Sequence, residues 1–286
     1  MKMKTRQAAA GLFFLLPFAA GFLLFYVVPF LWSVRYTFMR GAGGSDFAGL
    51  SNYRDLFASS AFRLAAWNTV RFIAVGVPLL MGVSLLLALL LQGRGKWEAR
   101  FRPAFLYPMV VPVASVVTVV QAFFAGDGLI NQFLRWIGMP AEDWLHSEHA
   151  FAVLVGLYIW KNCGYDLILF LAGLSAIPKD YREAAALEGA GRAQIFCRIT
   201  APLLLPSFFL ILIISVINSF KSFREAYLLG GESPHDSIYM LQHFMNNNFQ
   251  NLNYQRLSTA AVLIFGAVFA LLLLLFAVRR SRLDGR

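Results

Sequence analysis

Six stretches of this chain are apolar at almost every position, and its polar residues gather in the segments between them. The apolar runs fall near residues 8–32, 70–91, 103–124, 151–173, 203–220 and 258–278. Each is close to the ~20 residues a helix needs to cross a ~30 Å hydrocarbon core. The pattern predicts an all-α, polytopic membrane protein of six transmembrane helices, organised as one transmembrane domain over residues 1–286.

The connecting segments are patterned too. Gly41-Ala-Gly-Gly44 reads as a turn leading into a short amphipathic segment with Leu56, Phe57 and Phe62, suited to lie along the outer surface. Between residues 125 and 150, Gly126, Gly128, Gly138 and Pro140 surround Leu129, Ile130, Phe133, Leu134 and Ile137, whose spacing predicts a surface helix. After Leu229-Gly-Gly-Glu-Ser-Pro234, the residues Met240, Leu241, Phe244 and Met245 share a helical face that either caps a pathway or packs on it.

The segment 174–202 stands apart, because it is charged and rich in alanine between two apolar runs. Ile177-Pro178 ends a span, since proline cannot continue the hydrogen-bond ladder and restricts the residue before it. A new helix is expected from Lys179 to Gln194, with Ala184, Leu187, Gly191 and Ile195 at helical spacing and Arg182, Glu183, Glu188 and Arg192 on other faces. Gly189 and Gly191 are poor helix formers, so a bend or a close backbone approach is expected there. Pro202 and Pro206 mark the return to the membrane.

Composition agrees with the membrane reading: 59% of residues are hydrophobic, 28 are Phe, and only 14% are charged, against roughly 25% in soluble domains. The net charge of +10 suggests nucleic acid until the basic residues are located. Segments 1–7, 92–102, 174–202 and 279–286 hold 15 of the 25 Lys and Arg within 55 residues. Loop 125–150 holds only Arg135 and is acidic through Asp127, Glu142, Asp143 and Glu148. By the positive-inside rule both termini and the loops 92–102 and 174–202 are cytoplasmic, and no nucleic-acid partner is implied. Trp97 suits an interfacial anchor. The first apolar run is too long for a signal-peptide core and reads as an uncleaved span. Cys163 falls inside the fourth span and Cys197 on the cytoplasmic side, so neither a disulfide nor a cysteine metal site is expected.

Polar groups within the bilayer are costly and are functional candidates for that reason. Lys161, Asn162 and Asp166 sit near the middle of the fourth span. Asn162 and Asp166 share a face, while Lys161 and Asp166 are five apart and poorly placed for a salt bridge. Two readings stay open: each pairs with a neighbouring helix, or Asn162 and Asp166 line a hydrophilic cavity and bond substrate hydroxyls. Asn218, Lys221, Ser222, Arg224 and Glu225 cluster at the outer end of the fifth span, with Lys221 and Glu225 at i,i+4. This cluster either snorkels to the interface or places Asn218, Lys221 and Arg224 on the pathway, where they leave an anionic sugar open. Trp160, Tyr165 and Tyr227 lie beside these groups, as sugar recognition would use them. His146 and His149 lack a clear third ligand, so no metal is expected. The chain has no GxxxxGK[ST] phosphate loop and no Ser/His/Asp arrangement compatible with the spans, so neither a nucleotide cofactor nor catalysis is expected.

One spacing carries a family resemblance. Glu183-Ala184-Ala185, then Gly189, Ile199 and Pro202, follows the EAA loop (E-A-A-x3-G-x9-I-x-L-P) of bacterial ABC importer permeases, with Ala201 where leucine is usual. Phe47-x-Gly-Leu-x-Asn-Tyr53, Phe62-x5-Asn68-Thr69, Phe170-Leu-Ala-Gly-Leu-x-x-Ile-Pro178 and Gly230-Gly231 with Pro234 agree in order along most of the chain. The chain resembles the first permease subunit of the carbohydrate-importer branch. That resemblance implies the type I importer permease fold in the bacterial cytoplasmic membrane. It implies a second homologous permease, two cytoplasmic ATPase subunits, an extracytoplasmic sugar-binding protein and a sugar as cargo. Glu183, Ala184, Ala185, Gly189, Ile199 and Pro202 would then couple to the ATPase. The alternatives are an ion-coupled transporter using Lys161 and Asp166, and a structural permease whose partner makes the substrate contacts.

Overall fold

The computed structural model describes residues 2–40 and 45–284. In chain order the helices are α1 (Lys2–Phe22), α2 (Val28–Tyr36), α3 (Ser51–Ala58), α4 (Ser60–Leu91), α5 (Lys96–Val110), α6 (Val113–Phe124) and α7 (Leu129–Trp136). There follow α8 (His149–Ser175), α9 (Lys179–Leu187), α10 (Arg192–Ile195), α11 (Ala201–Lys221), α12 (Phe223–Gly230), α13 (Leu241–Gln250) and α14 (Tyr254–Asp284). A π-helical turn at Leu23–Val27 interrupts the first apolar stretch, a second at Phe196–Thr200 leads into α11, and a 3-10 turn at Asp236–Ile238 precedes α13. β1 (Met39–Arg40) pairs antiparallel with β2 (Asp46–Phe47), a two-residue ladder in an otherwise helical chain. The turn at 41–44 lies outside the described residues, as does the side chain of Trp97.

Six helical stretches among the described residues are long and apolar enough to cross a membrane: Phe13–Tyr36, Ser60–Leu91, Val113–Trp136, His149–Ser175, Arg192–Gly230 and Tyr254–Val278. They differ from the apolar runs in instructive ways. The run 103–124 is not one helix, because Val111 and Pro112 are extended (ψ 133° and 132°) and separate α5 from α6. Pro112 lacks the N–H that would continue the ladder and disfavours helix at Val111. Elsewhere helices outrun their apolar cores: α4 begins at Ser60 and takes in Arg63 and Asn68, which polarity alone places in a loop.

The chain divides into two compact units, residues 1–63 with 245–269 and residues 64–244 with 270–286. In the first unit the Phe30 and Phe265 rings lie 4.8 Å apart, joining α2 to α14. Asn52 Nδ2 donates to the carbonyls of Thr37 and Met39, both at 2.9 Å, and Tyr53 Oη donates to Thr37 Oγ1 at 3.1 Å. These bonds fasten α3 to the end of α2 and turn Leu56 inward, while Phe57 stays exposed.

In the second unit α8 runs through two apolar clusters. One holds Phe72, Val116, Leu154, Tyr158 and Ala226, and the other holds Met81, Leu167, Phe170, Leu174 and Ile211. Gly164 lets α8 meet α5 backbone to backbone: a Cβ there would lie 1.8 Å from the Phe105 carbonyl oxygen. Close approach at small residues is how helices associate where lipid removes the hydrophobic drive.

The connecting loops of this unit are held by buried polar side chains. Asn68 Nδ2 donates to the carbonyls of Asp236 and Tyr239, and Thr69 Oγ1 accepts from Leu241 N–H at 3.0 Å. α7 forms where the spacing predicts, but Asn131 is its buried residue and Leu129, Phe133 and Ile137 are exposed. Asn131 Nδ2 reaches the Glu142 carbonyl at 2.8 Å, and its Oδ1 accepts from Glu142 N–H at 3.0 Å and Trp144 Nε1 at 3.1 Å. That bonding pulls the helix down by its polar side. α13 packs through buried His243 and Phe244, with buried Met240 just before its first turn. His243 Nδ1 accepts from Met240 N–H at 3.2 Å, and the ring lies among Phe223, Tyr227 and Tyr239. Burial there drops its pKa to about 4.

Candidate functional site

Two groups of residues stand out chemically, both in the second unit. The first is the charged connector after α8. Pro178 is extended (ψ 134°) and precedes α9, whose first turn carries Asp180, matching the positive end of the helix dipole. α9 ends at Leu187, seven residues before the Gln194 expected from spacing. Gly189 takes φ +85°, its N–H bonds to the Ala186 carbonyl, and Ala190 N–H bonds to the Ala185 carbonyl, both at 3.0 Å. This paired closure satisfies the last carbonyls and needs a residue without a Cβ in the left-handed region. Gly191 then opens the short α10, and the Phe196–Thr200 turn leads into α11.

α9 has two different faces. Tyr181, Ala184, Ala185 and Glu188 border a groove of about 490 Å³ whose far wall is Arg198, Ile199, Pro202 and Leu203. The alanines keep it open, because a longer side chain at either position would enter it. On the opposite face Glu183 and Leu187 lie one turn apart, and Leu187 is 90% exposed. Glu183 makes no ion pair among the described residues. Of the six residues singled out in the sequence, Ala184, Ala185, Ile199 and Pro202 meet around the groove. Glu183 faces away from it, and Gly189 ends the helix. The spacing sets Leu187 on one face with Ala184, whereas in the structure it stands with Glu183 on the face away from the groove; Tyr181 and Arg198 carried no signal of their own.

The second group comprises the polar residues of α8, α11 and α12. Lys161 Nζ forms an ion pair with Glu225 Oε1, the two side chains being 18% and 5% exposed. The expected Lys221–Glu225 pair is not made. Glu225 is buried towards α8, whereas Lys221 is exposed and donates to Asn218 Oδ1 at 3.1 Å. Asp166 is fully buried rather than on a cavity wall, and its Oδ2 accepts from Ser215 Oγ at 2.7 Å. Tyr158 Oη donates to the Ser215 carbonyl at 2.8 Å, so the same turn of α11 is tied to α8 twice. Asn162 is half-buried and returns its Nδ2 to the Tyr158 carbonyl at 2.9 Å. Asn218 is half-buried, and Arg224 is exposed.

The Lys161–Glu225 pair also sets a depth. Lys161 lies twelve residues along α8 from His149, or about 18 Å at 1.5 Å per residue. The first turn of α12 therefore lies near the middle of α8, well inside the thickness that a span crosses. A separate cavity of about 600 Å³ lies between α6 and α8, lined by aliphatic and aromatic residues such as Tyr107, Val119, Phe124, Leu157 and Trp160. None of Asn162, Asp166, Asn218, Lys221 or Arg224 lines it.

His146 and His149 turn to Asp143 (3.2 Å) and Glu142 (3.8 Å), and the His146 N–H bond holds the Asp143 carboxyl below the usual range. No group of three His, Cys, Asp or Glu among the described residues is placed to hold a metal.

Residues 80–284 match the family described as the inner membrane component of binding-protein-dependent transport systems. The chain belongs to this family. It shares 31% identity with the arabinooligosaccharides transport system permease protein AraP of Bacillus subtilis (strain 168), over 98% of this chain and 90% of that protein. It is 30% identical to the trehalose/maltose transport system permease protein MalF of Thermococcus litoralis, over 99% of this chain and 98% of that protein. In fold it superposes on a chain from a bacterial alginate ABC transporter in complex with an alginate pentasaccharide-bound periplasmic protein. There the TM-score is 0.82 at 25% identity, covering 99% of this chain and 97% of that one. The chain is accordingly a multi-pass, non-catalytic permease subunit of an ABC importer, and these curated relatives are sugar permeases.

Proposed function

We propose that this inner membrane component carries a carbohydrate and forms half of a translocation pathway completed by a second, homologous permease. Two ATPase subunits dock on the cytoplasmic face, where both termini also lie, one of them gripping the segment 174–202 of this chain, and an extracytoplasmic binding protein delivers the sugar. The observation that carries this reading is α9 itself: a closed, capped helix with Leu187 and Glu183 exposed on one side and an open groove on the other. An apolar side chain held in water beside an unpaired carboxylate is what a protein partner covers, the leucine by burial and the carboxylate by a charge-assisted bond. ATP-driven closure of the ATPases would move α9 and, through the Phe196–Thr200 turn, tilt α11. Asn162, Asn218, Lys221 and Arg224 are the pathway candidates of this chain, Asp166 being enclosed. Lys161 and Asp166 each bond elsewhere, to Glu225 and Ser215, which takes away the couple on which ion-driven transport would rely.

Copurification of the assembled importer tests the reading. Glu183→Lys and Leu187→Asp are expected to leave the chain folded and bound to the second permease while losing the ATPase. An intact, ATPase-containing complex from both variants would falsify it.

A further inference from the structure

Resting on the importer reading, we propose that Lys221 and Arg224 form an anion-recognition site on the pathway, so that the carbohydrate carried bears a carboxylate, sulfonate or phosphate. Both residues are exposed, three apart across the Ser222 junction of α11 and α12. Neither forms an ion pair among the described residues. The nearest carboxylate in sequence, Glu225, is taken by Lys161, and Asp166 is enclosed with Ser215. The site keeps two cations uncompensated.

Their depth gives this weight. The Lys161–Glu225 pair brings the first turn of α12 level with a point about 18 Å along α8, so the neighbouring Lys221 and Arg224 do not stand at the membrane surface. Exposed charges at such depth face water or a polar ligand rather than hydrocarbon. Lys221 Nζ is steadied by Asn218 Oδ1 at 3.1 Å, and the planar guanidinium of Arg224 suits two oxygens of one anionic group. A neutral sugar would leave both cations without a counter-charge, and an unpaired polar site discriminates strongly against ligands that lack the matching group.

The test uses the assembled importer in phosphatidylcholine nanodiscs, titrated with trigalacturonate and with its carboxyl-reduced counterpart, trigalactose. The expected result is salt-sensitive binding of trigalacturonate at least tenfold tighter than of trigalactose, falling at least tenfold in Lys221→Gln/Arg224→Gln. Equal binding of the two sugars, or binding unchanged in the variant, overturns the inference. So does loss of the second permease from the variant complex, which would assign the cations to a subunit interface. An effect limited to retention of added phosphatidylglycerol would assign them to lipid and overturns it as well. ATP-dependent uptake of trigalacturonate by the double variant at the parental rate would refute the anion site and leave the importer reading standing. Failure of the chain to assemble with any ATPase would refute that reading instead.

Discussion

Lys161 carries a charge about halfway along α8, and Glu225 answers it from α12. Removing one member of a buried pair leaves the other uncompensated, at a cost of about 3–5 kcal/mol, whereas replacing both with apolar residues costs much less. Glu225→Gln is therefore expected to lower the unfolding temperature in detergent sharply, and Lys161→Met/Glu225→Leu to restore most of it. His243 behaves in the opposite chemical sense. Its folded pKa of about 4 lies below the ordinary 6.5, so its contribution is complete above pH 6.5 and is lost as pH falls towards 4. The span of the shift corresponds to about 3 kcal/mol. Hydrogen exchange in α13 should accelerate between pH 7 and pH 4.5, and His243→Phe should flatten that dependence. The polar candidates of the spans were legible in sequence because each is expensive where it stands. Their partners were not. Glu225 is 64 residues from Lys161 and Ser215 is 49 from Asp166, and no local spacing encodes either meeting. The i,i+4 reading of Lys221 and Glu225 went wrong for the same reason, since a distant lysine took the carboxylate.

At the scale of elements, the long apolar runs announce helices, and the departures come from single residues. Pro112 divides one run in two, and Gly189 stops α9 well short of the periodic pattern. A periodicity extends through a glycine on paper, but a residue at φ +85° turns the backbone off the helix axis. Gly189→Val is expected to cost about 1–2 kcal/mol locally, because a side chain in the left-handed region is strained. The amide of Ala190, protected in the parent by the Ala185 carbonyl, should then exchange faster, and the ATPase should be retained less well. Unchanged exchange at Ala190 would show that the closure does not depend on the glycine. α7 teaches the complementary point. Its apolar stripe gave the helix correctly, yet the face that is buried is set by Asn131, whose bonds to Glu142 and Trp144 outweigh exposure of Leu129 and Phe133.

At the scale of the molecule, six spans and a charged connector were readable because hydrocarbon thickness sets the length of an apolar run and leaves little ambiguity about helix. The groove beside α9 was half legible: Ala184, Ala185, Ile199 and Pro202 were marked by their spacing, while Tyr181 and Arg198 became neighbours only on folding. On the proposed function the chain would contribute a lever and a wall of the pathway, with the energy released on other subunits. Uptake of radiolabelled sugar into proteoliposomes measures this most directly, using the complex with its ATPase and binding protein. The account predicts uptake that requires ATP and disappears in Glu183→Lys, with no response to an imposed ion gradient. Uptake by this chain alone, driven by such a gradient without ATP, would contradict it.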